Sequence, residues 1–207
     1  MNQERKEYTL IDADQDYFAN DVTGASWDIS TNATPNGEAY KVAILNNSAT
    51  DHSDKTALIV GLNADGREQS ETITLPGGSE TVYTVNYYSY ISSVTPSETI
   101  GADTMDIGTS GYFASKSFCL CSSKSASIGF DLISGTINYT AECTYNNNSE
   151  VPYIWQNLSK SGQDFYQDTD SNNTFLLSPP NAIRFVTSSF SSTPNFIISI
   201  INNFARS

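Results

Sequence analysis

One histidine, three cysteines and ten lysines and arginines in 207 residues remove most of the usual chemistries before any pattern is read. Nucleophilic catalysis needs a nucleophile, a base and an orienting group in contact. Here both the serine and the cysteine versions would depend on His52. It lies in the loop Asp51-His52-Ser53-Asp54, whose members are too close in sequence to make a triad among themselves, so a solvated turn histidine is expected. Three thiols are an odd number for a disulfide framework, and zinc would need more Cys or His ligands than the chain supplies. Cys119, Cys121 and Cys143 are therefore expected to be reduced, half-buried packing residues.

Basic residues are scarce: 10 against 23 acidic ones, for a formal charge of −13. Phosphate binding needs clustered Lys and Arg that displace counterions, so neither nucleic acid nor an anionic membrane is an expected partner. No run of about 18 apolar residues is present that would span a bilayer. The opening Met1-Asn2-Gln3-Glu4-Arg5-Lys6-Glu7 is charged and no apolar core follows it, so no signal peptide is expected. Synthesis in a cytoplasm follows, with lysis as the way out if the protein works outside a cell.

Residues that favour helices are also thin. Thr, Ile, Val, Tyr and Phe, which suit a pleated and half-buried surface, carry the composition instead. No helix of three turns is expected. The length suits two compact units of about 100 residues each.

Along the chain, residues 1–38 show no sustained period and predict an irregular N-terminal arm with one or two short strands. From Tyr40 the pattern sharpens. Tyr40 to Leu45 and Lys55 to Leu62 are apolar runs bounded by Asn, Ser and Asp, as buried strands are. In Asn63-Ala64-Asp65-Gly66-Arg67 the Asp-Gly pair supplies the positive-φ positions of a tight hairpin turn. Residues 57–62 should therefore pair with residues 69–75. Pro76-Gly77-Gly78-Ser79 is a second turn. Strands follow at residues 81–85 and 87–94, Pro96 ends that run, and residues 105–108 close it. Turns this closely spaced indicate an all-β fold of antiparallel β-sandwich or jelly-roll-like units. Two such domains are expected, residues 39–112 and 116–207.

In the second, residues 126–132 and 136–144 join through Ser134-Gly135. Asn146 to Glu150 is a turn, and Tyr153-Ile154-Trp155 opens another ordered segment. Residues 182–187 and 196–201 predict a final hairpin with 188–195 as its loop.

Asp12-Ala13-Asp14-Gln15-Asp16 has the opening of a calcium loop, but Tyr17 stands where Gly is needed and Thr23 where Glu is needed. Asp168-Thr169-Asp170-Ser171-Asn172 departs likewise, with Asn173 and Pro179 at those places. No metal site, cofactor or catalytic residue is expected. Paired carboxylates of the glycosidase kind leave no spacing signature, and nothing points to them. Tyr87, Tyr88 and Tyr90, and Tyr153 near Trp155, would suit sugar binding if exposed; at strand spacing, core and cross-strand packing is expected. Sequons such as Asn138-Tyr139-Thr140 carry no weight without secretion.

Residues 58–66 (Leu-Ile-Val-Gly-Leu-Asn-Ala-Asp-Gly), 71–75 (Glu-Thr-Ile-Thr-Leu), Tyr88 to Val94 and Ile107-Gly108-Thr109 resemble a family of phage-encoded β-rich virion proteins. Those carry a "GTDADGxxxTETIT" hairpin, an aromatic "YFKTVTSI" strand and a closing "VTVGT". Residues 135–144 are similar to the family's "GTATYTVEHT", Val151 to Trp155 to its "PTWF", and Ala182-Ile183-Arg184-Phe185 to its "AIRL". The match runs in the family's order over residues 40–203. Leu62-Asn63 stands in place of its Gly-Thr, and Cys143 stands where His is common. The resemblance implies a non-enzymatic virion component with no catalytic residues to carry over. Its expected partners are other virion proteins and copies of itself. A tail or neck accessory position is expected, capsid decoration being the alternative. A carbohydrate-binding or host-adhesion module is the rival of another class, and a depolymerase-type enzyme ranks last.

Overall fold

A computed structural model describes residues 2–120, 123–145, 155–160, 163–164, 166–167, 172–176 and 180–204. These residues contain no helix, and every paired strand is antiparallel, so the protein is all-β. The chain makes two compact units: Asp12–Ala114, and Met1–Ile11 together with Ser115–Ser207. The expected turn at Asn146 to Glu150, the Tyr153-Ile154 part of the next segment, Cys121 and most of the second aspartate-rich loop lie outside the described residues.

Strand β1 (Asn2–Thr9) belongs to the unit built mainly from the C-terminal half. The unit Asp12–Ala114 contains β2 (Asp14–Val22), β3 (Ala39–Asn46), β4 (Thr56–Leu62), β5 (Glu68–Thr74), β6 (Thr81–Tyr88), β7 (Tyr90–Pro96) and β8 (Met105–Ala114). They form two sheets, β2-β8-β3-β6 and β5-β4-β7, packed as a sandwich. Alternation puts Val42 and Ile44 of β3, Ile59 of β4 and Ile107 of β8 into one core with Phe18, Trp27 and Tyr88, and a register shift in β7 between Ile91 and Ser93 brings both Ile91 and Val94 to it. Each large side chain buried this way contributes about 1.5–3 kcal/mol.

Residues 1–38 are therefore not an irregular arm. Part of them is β1, part is β2, and the stretch after β2 covers the edge of β7. Asn32 takes the Ile91 amide on its carbonyl at 2.8 Å and donates its side-chain amide back to the Ile91 carbonyl at 2.7 Å. An edge capped in this manner offers no free ladder to another chain.

The expected hairpin is present, with β4 and β5 in register from Thr56↔Thr74 to Leu62↔Glu68. Its turn differs from the expected one: among the turn residues only Gly66 has positive φ, at 73°. The Asn63 carboxamide oxygen instead gathers the amides of Asp65 and Arg67 at 2.9 and 3.0 Å. The run expected as one strand over residues 87–94 breaks at Ser89, where the chain passes from one sheet to the other as β6 ends and β7 begins.

The remaining strands are β9 (Phe118–Cys119), β10 (Ser123–Thr144), β11 (Gln156–Asn157), β12 (Ser159–Lys160), β13 (Gln163–Asp164), β14 (Tyr166–Gln167), β15 (Asn172–Leu176) and β16 (Ala182–Phe204). Two of the expectations are corrected here. Residues 126–144 are one long strand, and residues 188–195 are not a hairpin loop but the middle of β16, which pairs with β10 from Ser123↔Phe204 to Thr144↔Ala182. Both strands are irregular midway. Gly135 has φ 81° and Thr193 φ 40°, and the register shifts between Leu132 and Thr136. The bend is sharp, for the rings of Phe130 and Tyr139 stack at 3.8 Å between centroids. In a straight strand nine residues would separate them by roughly 30 Å. The stack extends from Phe130 to Phe196 at 4.9 Å and from Phe196 to Tyr8 of β1 at 5.3 Å. β1 pairs along β16 from Asn2↔Asn202 to Thr9↔Asn195, anchored by buried Tyr8 while residues 3–5 and 7 face solvent.

Candidate functional site

In the run Tyr40 to Leu45 the sequence places one charge, Lys41, among apolar residues. The local structure around it departs from a plain ladder on both sides. Towards β6 the pairing passes from Lys41↔Tyr87 to Ala43↔Tyr83, so two residues on β3 are matched by four on β6. Towards β8 it passes from Tyr40↔Phe113 to Val42↔Thr109, again two against four. Bulges of this sort leave residues unpaired and re-aim side chains.

The β6 bulge is held by polar bonds. The Val42 amide donates to the Thr84 hydroxyl oxygen at 2.9 Å in place of a backbone carbonyl, and that hydroxyl donates to the Asn86 carbonyl at 2.7 Å. The Glu71 carboxylate on β5 takes the Val85 and Asn86 amides at 2.7 and 2.9 Å, and Gln69 donates to the Tyr87 carbonyl at 2.7 Å. On β8 the Tyr112 amide donates to the Ser110 hydroxyl oxygen at 3.1 Å. Glu71→Ala should cost about 1–2 kcal/mol in urea denaturation, since a charge-assisted acceptor of two amides is lost. Hydrogen exchange should speed up at Val85 and Asn86 ahead of the rest of the unit.

The two bulges set Tyr87 and Tyr112 on either side of Lys41, whose ammonium lies 5.5 and 5.2 Å from their ring centroids. Tyr83 meets Tyr112 edge to face at 5.5 Å. It remains 44% exposed, which leaves much of its ring for contacts outside the unit. Three phenols and one cation thus share the sheet face turned away from the core. Among the described residues Lys41 has no ion-pair partner.

The residues singled out from sequence fall elsewhere. Tyr88 is core, as expected of that strand, but Tyr87 belongs to the platform and Tyr90 is 37% exposed. His52 is not a solvated turn residue: it is 3% exposed. The loop after β3 is tied down by Asn46, whose amide donates to the carbonyls of Thr50 and Gly77 at 2.8 and 3.0 Å and whose oxygen takes the Ser48 amide at 2.9 Å. This folds His52 inward against Asp103, with Nε2 to Oδ2 at 3.0 Å, while Lys55 Nζ lies 3.4 Å from Nδ1. Both ring nitrogens are thus engaged. Hydrogen bonding from the Thr50 hydroxyl holds the Asp103 carboxyl below its ordinary range, against the opposing effect of burial and with a further lowering from His52. A carboxyl held down in this way stabilises the fold fully above its unfolded value near 3.8 and loses that contribution as pH falls through its folded value. Asp103→Asn should accordingly flatten the pH dependence of the thermal midpoint below pH 4 or so.

Asp14 and Asp16 are drawn together. The hydrogen bond that the protonated Asp14 carboxyl donates to the Asp16 carboxylate, and then burial, push the Asp14 carboxyl up. Among the described residues no group of three or more His, Cys, Asp or Glu is placed to hold a metal ion. Cys143 is buried and its thiol is pushed up by that burial, whereas Cys119 is exposed, not half-buried. Trp155 carries the Arg184 guanidinium over its ring at 4.4 Å, and Arg184 is ion-paired to Glu142 at 2.7 Å.

No protein-family model matches the chain, and no curated protein matches it.

Proposed function

We propose that the protein is a non-enzymatic structural component of a bacteriophage particle, in a tail or neck accessory position. What carries this reading is the order of motifs: the 58–75 hairpin, the aromatic strand, the 135–144 strand and Ala182 to Phe185 follow one another as in the virion proteins they resemble. An antiparallel scaffold of two units supports it, since the work of such a component is to hold a shape and meet its neighbours. Its partners are other virion proteins and further copies of the chain, arranged by the symmetry of the particle. Gradient sedimentation of a phage lysate tests the reading. The chain should travel with intact particles in fixed ratio to their other proteins. Recovery only in the soluble fraction would overturn it.

A second reading, adhesion to a host glycan, is favoured by the tyrosine platform around Lys41. Tyrosine supplies broad amphipathic contact area at low entropic cost, as surface recognition requires. The Trp155 ring is less suited, because Arg184 already covers one of its faces.

A further inference from the structure

We propose that the platform of Tyr83, Tyr87, Tyr112 and Lys41 is a binding site for a sugar bearing a carboxylate, a uronic or sialic acid, with the carboxylate on Lys41 and the ring against the tyrosines. The inference rests on the glycan-adhesion reading and adds to it the charge of the sugar.

Plain cross-strand packing does not account for the arrangement. A regular ladder would set one residue of β6 and one of β8 beside each residue of β3, whereas both neighbours of Lys41 carry extra length. The bulges spend that length in bringing Tyr87 and Tyr112 to within 5.5 Å of one ammonium. The Thr84 hydroxyl and the Glu71 carboxylate fasten the β6 side, so the geometry exists before any ligand arrives. Preorganised groups lose little freedom on binding, which matters most for a small ligand.

Charge selects the ligand. Lys41 has no carboxylate partner among the described residues, on a chain whose formal charge is −13. An ammonium stacked between two rings is partly desolvated and keeps its outward side for an anion. The acidic field of the rest of the chain opposes every anion in proportion to its charge, so a ligand that brings a single carboxylate to Lys41 is favoured over a multiply charged one. Exposed Tyr83, with Val85 at 76% exposure beside it, provides the apolar ground on which the C–H face of a pyranose can lie.

The test is calorimetric titration of the full chain with four probes. These are an α-1,4-linked galacturonate tetramer and its carboxyl-reduced galactose counterpart, and sialyllactose and lactose. Binding of at least one acidic probe is expected in the millimolar range, roughly tenfold tighter than its neutral partner and weakened by salt. Lys41→Met keeps the aliphatic stem and should erase that preference, leaving neutral-sugar affinity within about twofold. Tyr83→Ala, at an exposed position where folding is not at stake, should weaken both members of the bound pair. Equal binding of acidic and neutral members, or an acid preference that survives Lys41→Met in a folded variant, overturns the carboxylate assignment and leaves adhesion standing. No binding of any probe at about 10 mM overturns both.

Discussion

Phe130→Ala is expected to cost about 3–5 kcal/mol. Phe130 stands where the bent halves of β10 meet. It stacks on Tyr139 at 3.8 Å and on Phe196 at 4.9 Å, with Phe185 tilted at 5.9 Å, and it is wholly buried. Removing it deletes the transfer free energy of a phenyl ring and also opens a cavity that neighbours on two long strands cannot collapse into. Against a typical domain stability of about 5–15 kcal/mol the remaining margin is narrow. In urea the transition of this unit should move down by roughly 2 M, taking a slope near 2 kcal/mol per M. Hydrogen exchange should accelerate along β10 and β16. A shift below about 1 kcal/mol would mean that the aromatic stack does not hold the bend.

Asn46→Leu is the second large effect, at about 3 kcal/mol, and its cause is opposite in kind. The side chain is 1% exposed and makes its bonds to three segments of the loop region, none of which a leucine can make. Leucine would remove the bonds to the carbonyls of Thr50 and Gly77 and to the amide of Ser48 at once, and these part-buried groups recover only some of that loss from water. The loop would then release His52 from Asp103. Two readings should move together: a lowered thermal midpoint, and an imidazole proton that exchanges with solvent at the rate of an exposed ring. A destabilised protein in which His52 stays protected would show that the loop is held by something other than Asn46.

How far the sequence could be read depended on whether local chemistry or distant partners decide each element. The β4–β5 hairpin was legible because Asn63 and Gly66 set its turn within a few residues. The interior run of β3 was legible for the same sort of reason, through its apolar composition. Residues 188–195 were not. Ser, Thr, Pro and Asn resemble a loop, yet β10 on one side and, beyond the bend, β1 on the other supply a ladder that overrides local preference. β1 itself was hidden because Glu4, Arg5, Lys6 and Glu7 bury little. Its eight-residue register is maintained by backbone pairing and by Tyr8.

The burial of His52 and the bulges beside Lys41 share one explanation. His52 is held by Asp103 and the bulge of β6 by Glu71, both groups far off in sequence. Local pattern has no access to such bonds. What the sequence did offer at the platform was a weaker sign, a single lysine in an otherwise apolar strand. A charge there has to emerge on the outer face, beside the aromatic residues of β6.

A reconstruction of intact phage particles by electron cryomicroscopy tests the central proposal most directly. A role in the particle predicts symmetric density at the tail or neck into which the two β units fit, with antibody against the chain binding at the same place. Density confined to the capsid faces would contradict the position, and particles with no such density and no trace of the chain by mass spectrometry would contradict the role.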